Sequence, residues 1–534
     1  MQIYFERAEL PVLGCAMAMV LCGCGGSSTT TSTTVTTTTT NADGSTSTTT
    51  TSGGSTSGGS TSGGSTSGGS TSGSSTSYAV GGTVSGLSAN ESVTLLNNGG
   101  DAVIVSSDGA FTFPTRLAGG SAYAVTLQSH TPGIACSISG GSGAIGAADL
   151  TDIAVACANG KAAILYSFAG GASGSTPVAG LILDSSGNLY GTTQQGGKHG
   201  DGTVFKLTPS GTETVLHSFG DSPNDGQGPQ APLTMDSAGN LYGVTFRGGA
   251  HKGGAIFKVT TGGTESVLYS FGAVRADGQS PAGGLVMDSA GNLYGTTEDG
   301  GAYGAGTVFK LDVNGAETVL HSFLALGMGA DGQYPQGTLV MDGSGNLYGT
   351  TPNGGAGSAG TVFKVSADGT TTVLYSFAAA TATDGRTPYA GVIVDSAGNL
   401  YGATVDGGAN GGAGGEGTVF SLTASGKETL LHSFGGTAGD GLNPYASLLR
   451  DSAGNLFGTT RAGGSYGSGG ARHGGTVFAL SPSGTETILY SFGAAGASDG
   501  SSPQGSLVMD SAGNLYGTTA SGGAHGDGTV FKID

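Results

Sequence analysis

Histidine is the side chain with which a protein most readily binds a metal or moves a proton near neutral pH, and this chain has eight. Three of them, His199, His251 and His525, occupy one place in a recurring loop, two residues beyond a Gly pair. The same place elsewhere holds Tyr303, Gly357, Asn410 and Tyr466, and His473 lies in the longest copy of the loop. Arg247 and Arg472 belong to the same loops. If the copies sit on neighbouring β-sheets they lie about 10 Å apart, whereas zinc holds each imidazole nitrogen at about 2 Å. No shared ion is therefore expected. His199, Arg247, His251, Tyr303, Tyr466, Arg472, His473 and His525 are instead candidates for contacting a ligand across a variable loop face.

A second motif, DGxxP, repeats with Asp225, Asp277, Asp331, Asp384, Asp440 and Asp499, and Ser173 replaces Asp in the first copy. Calcium would need further oxygen ligands in each loop, and the loops do not supply them consistently. The expectation is turn capping, with no cofactor and no metal. His217, His321 and His432 alternate with Tyr166, Tyr269, Tyr375 and Tyr490 at one point of another repeated phrase. They share strand parity with apolar neighbours, which predicts semi-buried positions with satisfied polar tips. No nucleophile elbow, P-loop, HExxH or paired Cys-x-x-Cys is present. Catalysis would have to come from a copy that breaks the pattern, such as the one with Arg461, Arg472 and His473 or the one with Arg247, His251 and Lys252.

The phrase DSAGNLYGTT positions all of these residues. It stands at 288–297 and again at 510–519, with five close variants. Its Asn recurs at 188, 240, 292, 346, 399, 455 and 514, giving periods of 52, 52, 54, 53, 56 and 59. Such spacing marks a repeat architecture. Each copy contains four strand candidates, spelled like GLVMD, NLYGTT, GTVFKL and ETVLHSF. Short Gly-bearing turns separate the first pair and the last pair. The region opens with a lone fourth strand, AAILYSF at 162–168, and closes with a third strand lacking its fourth, GTVFKID at 528–534. Pairing the two closes a seven-bladed β-propeller over 160–534 and covers both exposed edges. Asp184, Asp236, Asp288, Asp342, Asp395, Asp451 and Asp510 then become turn residues on the hairpin face of the ring.

The repeat GNLYGTT…GG…GTVFKL…ETVLHSF resembles that of the choice-of-anchor, GloVer-containing bacterial surface proteins. The resemblance implies a secreted protein displayed by an anchor, and it carries over no catalytic residues. The DxxGN-Leu-Tyr hairpin is also similar to that of sugar-lactonase and streptogramin-lyase propellers, without a match to their catalytic residues.

The rest of the chain fits a tethered envelope protein. Of its 534 residues 109 are Gly, and only 10% are charged, which argues against long helices. A net charge of -19 makes nucleic acid an improbable partner. Leu21-Cys22-Gly23-Cys24 is similar to a lipobox, which implies a signal peptide at 1–23 and a lipidated Cys24 as membrane anchor. Its apolar core is too short to span a bilayer. Residues 24–77 are Gly, Ser and Thr almost throughout, with too little apolar surface to fold, and read as a disordered tether. Over 78–158 alternating patterns predict a small β-sandwich of six or seven strands, with SSDGAFTF as an Asp-Gly hairpin resembling those of Ig-like surface modules. Two cysteines remain once the first three are consumed, and Cys136 with Cys157 is the expected disulfide, contributing about 3 kcal/mol. The whole predicts a monomeric, lipid-anchored extracytoplasmic platform for a glycan, peptide or protein. The alternatives are a propeller lyase or hydrolase, and a structural surface protein with no specific ligand.

Overall fold

The computed structural model describes residues 76–87, 91–130, 134–159, 162–324, 331–378, 383–410, 415–437, 439–465, 474–493 and 496–534, with the strand pairing alone of 35–40 and 46–51. The signal-like segment, Cys24, Tyr466, Arg472 and His473 lie outside the described residues. The chain divides into two units, Met1–Ser74 and Ser75–Asp534. In the first, Val35–Thr40 pairs antiparallel with Thr46–Thr51 inside the span whose composition predicts an unstructured tether. Threonine is β-branched and favours extended pairing, a preference that the Gly- and Ser-rich surroundings mask.

The second unit opens with two four-stranded sheets on one core. Ile134–Ser139, Leu150–Asn159, Val80–Ser85 and Gly109–Thr112 form one sheet, and Ser142–Ala144, Ala122–His130, Val93–Asn97 and Asp101–Val105 the other. Val80, Val93, Leu95, Phe111 and Ile153 fill the space they enclose. Cys136 and Cys157 face each other in register on adjacent strands and are joined by a disulfide. SSDGAFTF is not a hairpin. The strand before Asp108 belongs to one sheet and the strand after it to the other, so the segment turns a corner of the two-layer stack. Asp108 Oδ1 accepts the Leu87 amide at 2.7 Å rather than closing its own turn.

From Ala162 onward the described residues form seven four-stranded antiparallel sheets. The first comprises Ile182–Leu183, Leu189–Thr193, Thr203–Leu207 and Glu213–Ser218. In the seventh, Val508–Met509, Leu515–Thr519 and Thr529–Ile533 are completed by Ala162–Ser167, with Ala162 opposite Ile533 and Ser167 opposite Thr529. The second and third strands of each sheet are buried almost throughout, as one expects of sheets covered on both faces. Hydrophobic clusters join each sheet to the next, and one made of Phe168, Leu189, Phe205 and Val530 joins the seventh to the first. An edge-to-face phenylalanine pair crosses every seam, from Phe168–Phe205 at 5.1 Å round to Phe492–Phe531 at 5.1 Å. The result is a closed, all-β, propeller-like cycle of sheets.

The repeated phrase builds this cycle through close contacts. Its second Gly lies under the phenylalanine of the neighbouring strand: a Cβ on Gly295 would stand 2.7 Å from Phe309 Cζ. In six of the seven copies the last Thr of the phrase bonds, buried, to the Thr that opens the third strand, as in Thr297 Oγ1 to Thr307 Oγ1 at 2.8 Å; in the second copy Ala255 stands opposite Thr245. The Thr before it reaches the next sheet, with Thr518 donating to Ala179 O at 2.9 Å. Each DGxxP segment adds an element that its turn residues conceal: Gly226–Gln227 pairs with Arg247–Gly248, and five of the other copies do likewise.

Candidate functional site

The two ends of the sheet cycle are built from different chemistry. At the hairpin end six of the seven phrase Asp residues are saturated locally, and Asp451, whose phrase has Phe457 in place of Tyr, accepts from the amide and side chain of Asn455. Asp288 Oδ1 accepts the amides of Ala290 and Asn292, both at 2.9 Å, while Oδ2 accepts Asn292 Nδ2 at 2.7 Å and Tyr294 Oη at 3.1 Å. Burial alone would raise its pKa, but these donors hold the carboxyl below the usual carboxylate range. Asp184, Asp236, Asp342, Asp395 and Asp510 repeat the arrangement. Such groups make a turn and leave no lone pair for a substrate.

At the other end, the DGxxP segments and the Gly-pair loops converge on an opening. The residue after each DGxxP proline lines it: Val178, Gln230, Ala282, Gln336, Tyr389, Tyr445 and Gln504 enclose about 490 Å³ with Thr176 and Gln194. Proline fixes the backbone entering the inner strand, so this side chain is delivered to the same height in every copy. The backbone is uniform but the seven side chains differ, which makes a lopsided, polar mouth.

One quadrant concentrates the chemistry. Tyr389 and Tyr445 stack with ring centroids 5.4 Å apart and planes 20° from parallel. The Arg461 guanidinium lies over Tyr445 at 5.3 Å, a cation–π contact. With Asp406, Asn443 and Ser502 these residues line a pocket of about 490 Å³. Asn443 is held there by its amide group, which donates to Val405 O at 3.0 Å. Burial, then Tyr445, Asp406 and Glu298 push the Tyr389 phenol up, so it stays a neutral donor. Burial and Asp299 raise the Glu298 carboxyl against an opposing hydrogen bond from Gln336. Opposite, Gln194 donates to Gln230 at 2.9 Å, and Arg247 lines a pocket of about 320 Å³ with Asp201, Gln227 and Phe246.

Of the residues the loop pattern singled out, Arg247 lines the pocket that adjoins this mouth through Gln194 and Gln230. His199 does not line these pockets; it is exposed and pairs with Asp221 at 2.7 Å, sharing that carboxylate with Lys198. His251, Tyr303 and His525 are exposed and line none of these pockets. Sequence reasoning missed Tyr389, Tyr445, Gln230, Gln336 and Gln504. A signal was present, in that the letter after the DGxxP proline is the one that refuses to repeat.

The seams between sheets hold a third set of polar residues. A His or Tyr from one outer strand, the DGxxP Asp, and the first residue of the next outer strand meet there. Tyr269 donates to Asp277 at 3.2 Å and Tyr490 to Asp499 at 2.9 Å. His321 Nε2 bonds to Asp331 Oδ2 at 2.8 Å. The expectation of satisfied tips fails for His217 and His432, whose buried Nε2 atoms stand beside carboxylates, 3.3 Å from Asp225 and 3.6 Å from Glu486, without making a hydrogen bond. In both seams a glutamate, Glu265 or Glu486, stands where the His321 seam has Thr371.

The Gloeobacter/Verrucomicrobia repeat matches residues 138–341 and 341–534. No curated protein matches the chain. Among solved structures, the extracellular domain of a B. thetaiotaomicron protein assigned as a hybrid two component system is similar at 9% identity and a TM-score of 0.46, over 70% of this chain. The chain spans only 39% of that protein's chain. The periplasmic gluconolactonase of Pseudomonas aeruginosa is similar at 16% identity and a TM-score of 0.38, over 58% of this chain and 84% of its own. Among the described residues no helix is long and apolar enough to cross a membrane.

Proposed function

The chain belongs to the Gloeobacter/Verrucomicrobia repeat family, and from that premise we propose that it is a lipid-anchored, extracytoplasmic seven-bladed β-propeller that binds a glycan at the mouth opposite its hairpin face. The observation that carries this reading is the Tyr389–Tyr445 pair with Arg461, Asn443 and Asp406 around one pocket. Aromatic rings suit the apolar face of a sugar, while amides, a guanidinium and a carboxylate satisfy its hydroxyls. The chain's net charge of -19 favours a neutral or cationic glycan over a polyanionic one. The residues 78–158 serve as an Ig-like sandwich spacer, stabilised by the Cys136–Cys157 bridge. The Gly, Ser and Thr segment from Cys24 to Ser77 serves as a tether.

Glycan-array screening of the full chain tests the binding role: saturable binding that Arg461→Ala weakens at least tenfold is expected, without conversion of the bound sugar. Turnover, or binding indifferent to Arg461, would overturn it. Anchoring is tested separately. Cys24→Ala should move the protein from the membrane to the soluble fraction, and unchanged partitioning would exclude the lipid.

A further inference from the structure

We propose that two seams of the ring each bind a divalent transition-metal ion: His432, Asp440 and Glu486 between the fifth and sixth sheets, and His217, Asp225 and Glu265 between the first and second. In each seam one nitrogen and two carboxylate oxygens lie within 4.8 Å of one another. His432 Nε2 stands 3.6 Å from Glu486 Oε2 and 4.0 Å from Asp440 Oδ1, too far for hydrogen bonds. Metal bonds of about 2.0 to 2.2 Å place neighbouring ligands roughly 3 to 3.5 Å apart, so side-chain shifts of roughly half an ångström to one ångström would close the site.

The unpartnered atoms point to a ligand. The Asp440 side chain is 3% exposed. Its Oδ2 accepts the Gly436 amide at 3.0 Å, yet its buried Oδ1 has no partner. His432 Nε2 and Glu486 Oε1 are likewise buried without one. In the other seam, Asp225 is anchored by the amides of Gly220 and Gly226, at 2.8 and 2.7 Å, while His217 Nε2, 3.3 Å from Asp225 Oδ2, and Glu265 Oε1 make no hydrogen bond. Orphaned buried polar atoms are costly, and among the described residues no lysine or arginine forms an ion pair with either carboxylate pair. One divalent cation neutralises two carboxylates and uses the open nitrogen at the same time.

The ring contains its own control. Where Thr371 replaces the glutamate, His321 closes onto Asp331 at 2.8 Å and nothing is left for an ion. Where tyrosine replaces histidine, the phenol donates to the aspartate directly, as Tyr269 does to Asp277. Only the two seams that combine His, Asp and Glu among the described residues keep an open donor set. Imidazole in the set selects against calcium and magnesium and for zinc or its first-row neighbours. Three protein donors leave room for water, and the ion would tie the outer strands of adjacent sheets together.

The test uses the full chain, stripped with a chelator and titrated with Zn²⁺ in competition with a chromophoric chelator. Wild type is expected to take up two more equivalents than the Glu265→Thr/Glu486→Thr double variant, which copies the arrangement at Thr371, and each single variant to lose one. Equal uptake by wild type and double variant, with exposed histidines accounting for both, would overturn the proposal. Should the variants fail to fold, Co²⁺ added to wild type decides: intense visible ligand-field bands that excess Ca²⁺ does not remove support the sites, and the weak spectrum of hydrated cobalt refutes them.

Discussion

The two ends of the ring show how one repeat divides its labour. At the hairpin end six phrase aspartates keep the same amide, Asn and Tyr donors, copy after copy. At the mouth, the position after the DGxxP proline is Val, Gln, Ala, Gln, Tyr, Tyr and Gln in turn. Both positions are set by equally regular backbone. The difference lies in what the side chain answers to: a turn makes the same demand seven times, whereas a ligand without sevenfold symmetry touches each copy differently. Symmetry in this chain therefore marks stability, and under the proposed function its breaking marks recognition.

The comparison predicts opposite consequences for substitutions at the two kinds of position. The largest loss of stability should come from the shared lattice. Phe309 is fully buried and meets Phe271 edge to face at 5.0 Å, so Phe309→Ala should cost about 3–5 kcal/mol in denaturant unfolding. Gly295→Ala comes next. Its added Cβ would press on Phe309, an overpacking worth about 1–3 kcal/mol. A smaller cost than that for either variant would show that the sheets yield independently and that the seams do not share load.

That lattice was largely legible in the letters. The four strands per copy, the turn role of the phrase Asp and the pairing of 162–167 with 529–533 follow from alternation, Gly placement and the orphan strands at the two ends. The mouth was not. A loop histidine advertises chemistry by type alone, but His251 and His525 point into solvent, whereas Tyr389 and Gln230 become neighbours only because the ring closes. Periodicity reports which residues are equivalent. It does not report how far equivalent residues sit from the axis, and that distance decides whether they can share a ligand. The Asp108 corner failed for a related reason, because a turn signal fixes a change of direction but not the sheet the chain enters next.

Between the two ends lie the seams, where the pattern repeats in position but varies in protonation. Glu317 is pushed up to about 7, first by burial and then by the nearby charge of Asp277. In the unfolded chain it ionises at an ordinary value, so between that pH and about 7 the native state holds a proton the unfolded state has lost. Stability then falls as pH rises through this window and stays lower above it. The unfolding midpoint of wild type should decrease from pH 5 to pH 8, and Glu317→Gln should flatten that decrease. An unchanged slope in the variant would move the effect elsewhere.

The smallest effect on stability, and the sharpest on function, belongs to the mouth. Tyr445 packs on Tyr389 and under Arg461, but both faces of this arrangement line a pocket rather than a core. Truncating it removes ring contacts and leaves no buried polar group orphaned. Tyr445→Ala should therefore shift unfolding by under about 1 kcal/mol, while glycan affinity falls at least tenfold, as loss of an aromatic anchor does. Tyr303→Ala supplies the contrast, since Tyr303 is 50% exposed on a loop that does not line the mouth and should alter neither property. If Tyr303→Ala weakened binding and Tyr445→Ala did not, the recognition surface would lie on the outer loops, and broken symmetry at the axis would reflect drift in positions free of any ligand.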